Sequence, residues 1–142
     1  MEIVINKTIK NVKITDKHVV GVVEKVLKKA GKTKASLSIN FVGEKKIRSL
    51  NKKYRKNDSI TDVISFALQD GQSIIESTDL GDIFICPNQI KKQAKDFKIV
   101  EKEETIRMLV HGVLHLLGYD HKNKKDEKEM FEKQEGLVIE LL

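Results

Sequence analysis

Three of the four histidines in this 142-residue chain fall within eleven positions, in the stretch His111-Gly112-Val113-Leu114-His115-Leu116-Leu117-Gly118-Tyr119-Asp120-His121. At about 3.6 residues per turn, His111 and His115 project from the same face of a helix and can reach one ion. Gly118 suits the left-handed conformation that ends a helix, so the reversed chain can carry His121 back toward the other two. Three imidazoles with an open fourth position are what a catalytic zinc site needs. A lone histidine on an apolar helix is usually a hydrogen-bonded core residue, but spacings of four and six with a glycine in between point to a bound metal. A purely structural zinc would want a fourth protein ligand, and Cys86 and His18 are both remote in sequence. Catalytic zinc with water in the fourth position is the better fit. Three imidazoles also suit nickel, copper or iron, which leaves the identity of the metal open.

The spacing HxxxHxxGxxH is shared with the metzincin proteases, which carry a glutamate base directly after the first histidine. Here that position is Gly112. A peptidase built on these ligands would need its base from elsewhere.

The elements that must position this stretch fit one domain spanning residues 1–142, long enough to bury a core without staples. Cys86 has no partner for an internal disulfide. There is no apolar leader near Met1 and no run long enough to cross a membrane, so a cytoplasmic protein with no membrane partner is expected. Asn6-Lys7-Thr8 matches a glycosylation sequon, which is without meaning in such a protein. Lysine and arginine number 27 against 21 acidic residues, a net charge of +6. This favours a polyanionic partner over a cationic one but does not separate nucleic-acid binding from a solvated, lysine-rich surface.

Taken in order, Glu2 to Asn6 reads as a first strand, with the segment through Ile14 either extending it or turning back. Thr15 can cap a helix whose stripe is Val19, Val22, Val23, Val26, Leu27 and Ala30, and Gly31 stops it. His18 lies in its first turn and reads as a surface residue. Period-two alternation marks a half-buried strand from Ala35 to Val42. Ile47, Leu50 and Tyr54 form one stripe of a helix from about Glu44 to Tyr54, with Lys52, Lys53, Arg55 and Lys56 at its end. Asp58 to Thr61 is a turn, Asp62 to Leu68 a strand, Gln69 to Asp79 a polar loop, and Leu80 to Cys86 another strand. Pro87 opens a helix through about Phe97. Glu101, Glu103 and Glu104 open the histidine helix, whose core stripe is Ile106, Val110, Val113 and Leu117. Asn123 can cap a last helix that buries Met130, Leu137 and Leu141, with Phe131 and Val138 alongside. The sum is an α+β domain: roughly four strands in a mixed sheet, about five helices, and the metal site at the C-terminal end of one of them.

Read as HGxLHxxGYDH, the histidine stretch resembles the signature of the YbeY family of bacterial endoribonucleases, the ribosomal RNA maturation factors. Leu50-Asn51-Lys52-Lys53-Tyr54-Arg55, followed by Thr61-Asp62-Val63-Ile64-Ser65-Phe66, is similar to a second block of that family, and Leu80-Gly81-Asp82-Ile83 to a third. The blocks span positions 50 to 121 in the family's order, and the chain length also suits the family. Ala67 departs from it, standing where proline usually follows the Ser-Phe pair. That bears on local loop geometry and not on the metal site.

The resemblance implies that His111, His115 and His121 are zinc ligands and that Arg55 is the family's functional arginine. The chemistry of the side chain agrees, because a guanidinium fork suits phosphate oxygens and stabilises charge developing on them. Taken by itself, Arg55 reads as a surface charge at a helix end. Tyr54 could stack on a base, although its place in the Ile47 and Leu50 stripe favours the core. Asp120 either orients a ligand histidine or stabilises the turn. The implied activity is zinc-dependent cleavage of single-stranded RNA in ribosomal RNA processing and ribosome quality control, with ribosomal or ribosome-associated proteins as further partners. A metalloprotease on the same ligands and a non-catalytic, zinc-stabilised RNA binder are the alternatives.

Overall fold

The computed structural model describes residues 1–68 and 78–142, and most of the polar loop expected at Gln69 to Asp79 lies outside them. Nine elements follow in chain order: β1 (Glu2–Lys7), α1 (Asp16–Lys29), β2 (Ser36–Phe41), α2 (Glu44–Arg55), β3 (Val63–Ala67), β4 (Asp79–Ile85), α3 (Pro87–Phe97), α4 (Glu101–Leu116) and α5 (Lys124–Leu141). The helix caps read from the sequence are in place. Thr15 Oγ1 accepts from the His18 backbone N–H at 3.1 Å, and Asn123 Oδ1 accepts from that of Asp126 at 2.9 Å. Each satisfies a donor that the first helical turn leaves without a partner. Cys86, expected at the end of β4, instead precedes Pro87 as the cap position of α3.

The four strands form one mixed sheet in the order β1-β2-β4-β3. β1 and β2 are parallel, as are β2 and β4, while β3 runs antiparallel to β4 along an edge. Alternation along the strands divides their side chains between two faces. Leu37, Ile39, Phe41, Ile83 and Ile85 join the apolar stripes of α1, α4 and α5 in the main core. On the other face a smaller cluster sets Ile47 and Leu50 of α2 against Ile64, Phe66 and Phe84. Burying these surfaces stabilises the fold by about 25 cal/mol for each Å² of apolar area removed from water. The segment after β1 does not extend the strand, and its Val12 and Ile14 turn into the main core.

Two expectations about burial are corrected. Phe131 is 60% exposed. It follows Met130, which is buried, and one residue further along a helix lies about 100° around its axis. The inner face of α5 is instead Met130, Gln134, Leu137 and Val138. Tyr54 is 51% exposed. The smaller core ends at Phe66, and Tyr54, in the last turn of α2, packs against that ring in a T-shaped arrangement at its margin, with centroids 5.1 Å apart.

Candidate metal centre and its cleft

α4 ends in a paired hydrogen-bond motif that aims His121. The Gly118 N–H donates to the His115 carbonyl and the Tyr119 N–H to the Leu114 carbonyl, both at 3.0 Å. These bonds satisfy carbonyls that the helix end leaves open, and they require a left-handed residue between them. Gly118 supplies it with φ +104°. Tyr119 packs back on the main core, and the Asp120 carboxylate accepts from the His121 backbone N–H at 2.7 Å. Asp120 thus stabilises the turn and makes no hydrogen bond to a histidine ring. His111 and His115 come from the helix and His121 from the reversed chain, with one ring nitrogen of each lying within 4.8 Å of the others. Neither His18 nor Cys86 belongs to this cluster.

The donor set fits a tetrahedral transition metal. With Zn–N bonds of about 2.0 Å, ligand nitrogens stand about 3.3 Å apart. His115 Nε2 and His121 Nε2 are 3.0 Å apart, a separation that needs a shared proton or a shared cation. Burial, aided by the neighbouring imidazoles, pushes the His115 pKa down to about 4, so its ring is neutral at pH 7 with a lone pair to donate. Burial also lowers the pKa of His111. The carbonyl end of α4 adds negative potential that favours a cation.

A chain of polar side chains orients His111 from behind. Its Nδ1 lies 2.6 Å from Gln134 Oε1. The Gln134 amide nitrogen donates to Glu135 Oε2, and Glu135 is held in turn by Arg107 at 2.9 Å. Because Glu135 can only accept, the Gln134 oxygen must face the histidine, and Nδ1 must carry the proton. That leaves the lone pair of His111 on Nε2. Arg107 also binds Glu103 and Glu104, and Gln93 links Glu104 to Asp62, which lines the cleft in front of the histidines.

Sequence reasoning missed this support. Its one visible signal was Gln134, a polar residue at a spacing that belongs to the buried stripe.

β3 joins the histidines to Arg55. Ser65 Oγ donates to the Gly112 carbonyl at 3.2 Å, and the Ser65 carbonyl accepts from Arg55 Nη2 at 2.7 Å. The Arg55 guanidinium also lies over the Phe66 ring, 5.3 Å from its centroid. All three histidines and Arg55 line one cleft of about 860 Å³. Lys122 shares its lining with Asp62, Asp120, Asp126 and Glu129. A cation held by the three histidines would offset those carboxylates. Gly112 abuts the sheet: a Cβ there would lie 2.9 Å from Ile83 Cγ2. A side chain at the position that carries the metzincin base would have to displace Ile83 in this fold.

The family described as endoribonuclease YbeY matches residues 4–141 of the chain. Endoribonuclease YbeY of Staphylococcus carnosus (strain TM300) is 47% identical over 108 residues, covering 73% of this chain and 71% of its own. Its counterpart in Sulfurihydrogenibium sp. (strain YO3AOP1) is 39% identical over 140 residues, covering 98% and 91%. The solution structure of a Thermotoga maritima protein superposes with a TM-score of 0.68 at 31% identity, covering 98% of this chain and 88% of that one. A match along nearly the whole chain, together with the α+β fold, makes this protein a member of the endoribonuclease YbeY family.

Proposed function

We propose that the protein is a zinc-dependent endoribonuclease that cuts single-stranded RNA in the cytoplasm. Ribosomal RNA is the proposed substrate, in ribosome maturation and quality control, with ribosomal or ribosome-associated proteins as further partners. The observation that carries this reading is the convergence of His111, His115, His121 and Arg55 on one cleft. Membership of the family supports the activity. No helix among the described residues is long and apolar enough to cross a membrane.

His111, His115 and His121 would hold the ion. When bound, zinc supplies Lewis acidity toward a phosphate oxygen and makes a water acidic. Arg55 binds the phosphate. The Ser65 carbonyl and the Phe66 ring fix the guanidinium before substrate arrives, so little ordering is left to the binding step. The net charge of +6 draws in the strand at long range, an attraction that salt weakens.

The test is metal content and RNA cleavage for wild type, His111→Ala and Arg55→Ala side by side. Wild type should carry one metal per chain and lose cleavage to a chelator. Arg55→Ala should keep the metal and lose cleavage, and His111→Ala should lose both. A wild-type protein without stoichiometric metal, whose cleavage survives chelation, would overturn the reading.

A further inference from the structure

A second cleft, of about 570 Å³, lies between α4 and the first half of α5. Its apolar lining is Met108, Met130 and Phe131, and its charged rim is Lys124, Glu127 and Lys128. Single exposed apolar residues are ordinary on protein surfaces. What sets Phe131 apart is its position, because His111 and His121 wall this cleft as well as the one holding Arg55. The histidines therefore form the ridge between two clefts. A strand whose phosphate sits on that ridge has Arg55 on one side and Phe131 on the other.

We propose that the Phe131 cleft is a nucleobase subsite, in which the base next to the cut phosphate, on the side away from Arg55, stacks on the Phe131 ring. The proposal rests on the RNA-cleaving reading above and adds a contact to the strand. Residues 124, 127, 128 and 131 recur at helical spacing, so lysines and ring lie on one face of α5. A flat base needs an aromatic face and a cation for the adjoining phosphate, the pairing used by single-strand binders. Met108 and Met130 are buried and form the apolar floor of the cleft beside the exposed Phe131 ring. Lys128 lies 3.9 Å from Glu132, but both side chains are well exposed and such a pair is weak enough to yield to a phosphate. Glu127 is the one acidic side chain in the lining, so lysines outnumber it two to one. Stacking reads the π-face that every base has, so the subsite tolerates any base.

The chain contains no tryptophan, so Phe131→Trp places a single reporter in the cleft. Metal-loaded protein is titrated with a short single-stranded oligonucleotide carrying 2′-O-methyl groups, which resists cleavage. Tryptophan fluorescence should be quenched along the binding curve, and Phe131→Ala should bind the same oligonucleotide about tenfold more weakly. One abasic position in the oligonucleotide should weaken binding to wild type and leave Phe131→Ala unaffected. If wild type binds and cuts RNA, yet Phe131→Ala does both equally well and the tryptophan signal stays flat at saturation, the subsite is refuted and the cleft is left to an apolar side chain of a protein partner. If wild type binds no RNA, the proposed function fails first, and this subsite fails with it.

Discussion

Gln134 Oε1 lies 2.6 Å from His111 Nδ1, and because the same amide donates to Glu135 it holds the imidazole in one tautomer. Gln134→Met keeps the bulk and removes the acceptor. Metal affinity, measured by competition with a chromophoric chelator, should fall about 10–100-fold while the far-UV spectrum stays native. Gln134→Glu keeps an acceptor oxygen and should lose less. Equal affinities for all three proteins would reduce Gln134 to a packing residue.

Arg55 is held by a carbonyl on one side and an aromatic face on the other, a setting made for a planar guanidinium. Arg55→Lys preserves the charge and loses both the plane and the fork. Single-turnover cleavage should slow on the order of 100-fold, with metal content unchanged. Cleavage at the wild-type rate would mean that charge alone suffices.

Gly112→Ala would place a methyl 2.9 Å from Ile83 Cγ2, between α4 and the sheet. Overpacking of this kind costs about 1–3 kcal/mol, readable as a lower urea midpoint at constant m-value. Because the clash is with one side chain, Ile83→Ala should cost less in the Gly112→Ala background than in wild type. Strict additivity would show that the backbone, and not Ile83, resists the methyl.

The Arg107 guanidinium, through hydrogen bonds first, holds the Glu135 carboxyl below the usual glutamate range. A carboxylate with a lowered folded-state pKa adds stability above its unfolded pKa of about 4.3, and that stability is lost as pH falls through the folded value. Glu135→Gln should therefore be less stable than wild type at neutral pH, and the gap should narrow steadily below about pH 4.3. Urea midpoints of the two proteins from pH 7 to pH 3 test this. A constant gap across that range would place the effect in packing.

Local patterns in the chain were legible wherever neighbouring residues settle them. The Thr15 and Asn123 caps, the Gly118 reversal and the His111 and His115 spacing each depend on a few consecutive positions, and all took the expected form. What distant elements decide was not legible. Tyr54 and Phe131 lie in or beside apolar stripes, but their exposure depends on where the facing core ends. The support of Arg55 by Ser65 and Phe66 needs β3 to run along α2, and that of His111 by Gln134 needs α5 to return across α4. Periodicity marks the face an element buries and leaves unstated what lies across from it.

The three clustered histidines come from one helix end and the turn after it, eleven residues in all. Bringing the ends of so short a segment together costs little chain entropy. Arg55 reaches the same cleft from 56 positions upstream of His111, by way of the sheet. A synthetic peptide covering α4 and its turn should therefore compete for metal in the absence of the rest of the chain. The arginine can join it only after the edge strand has paired, so the order of assembly would run from ion capture to the making of the substrate cleft.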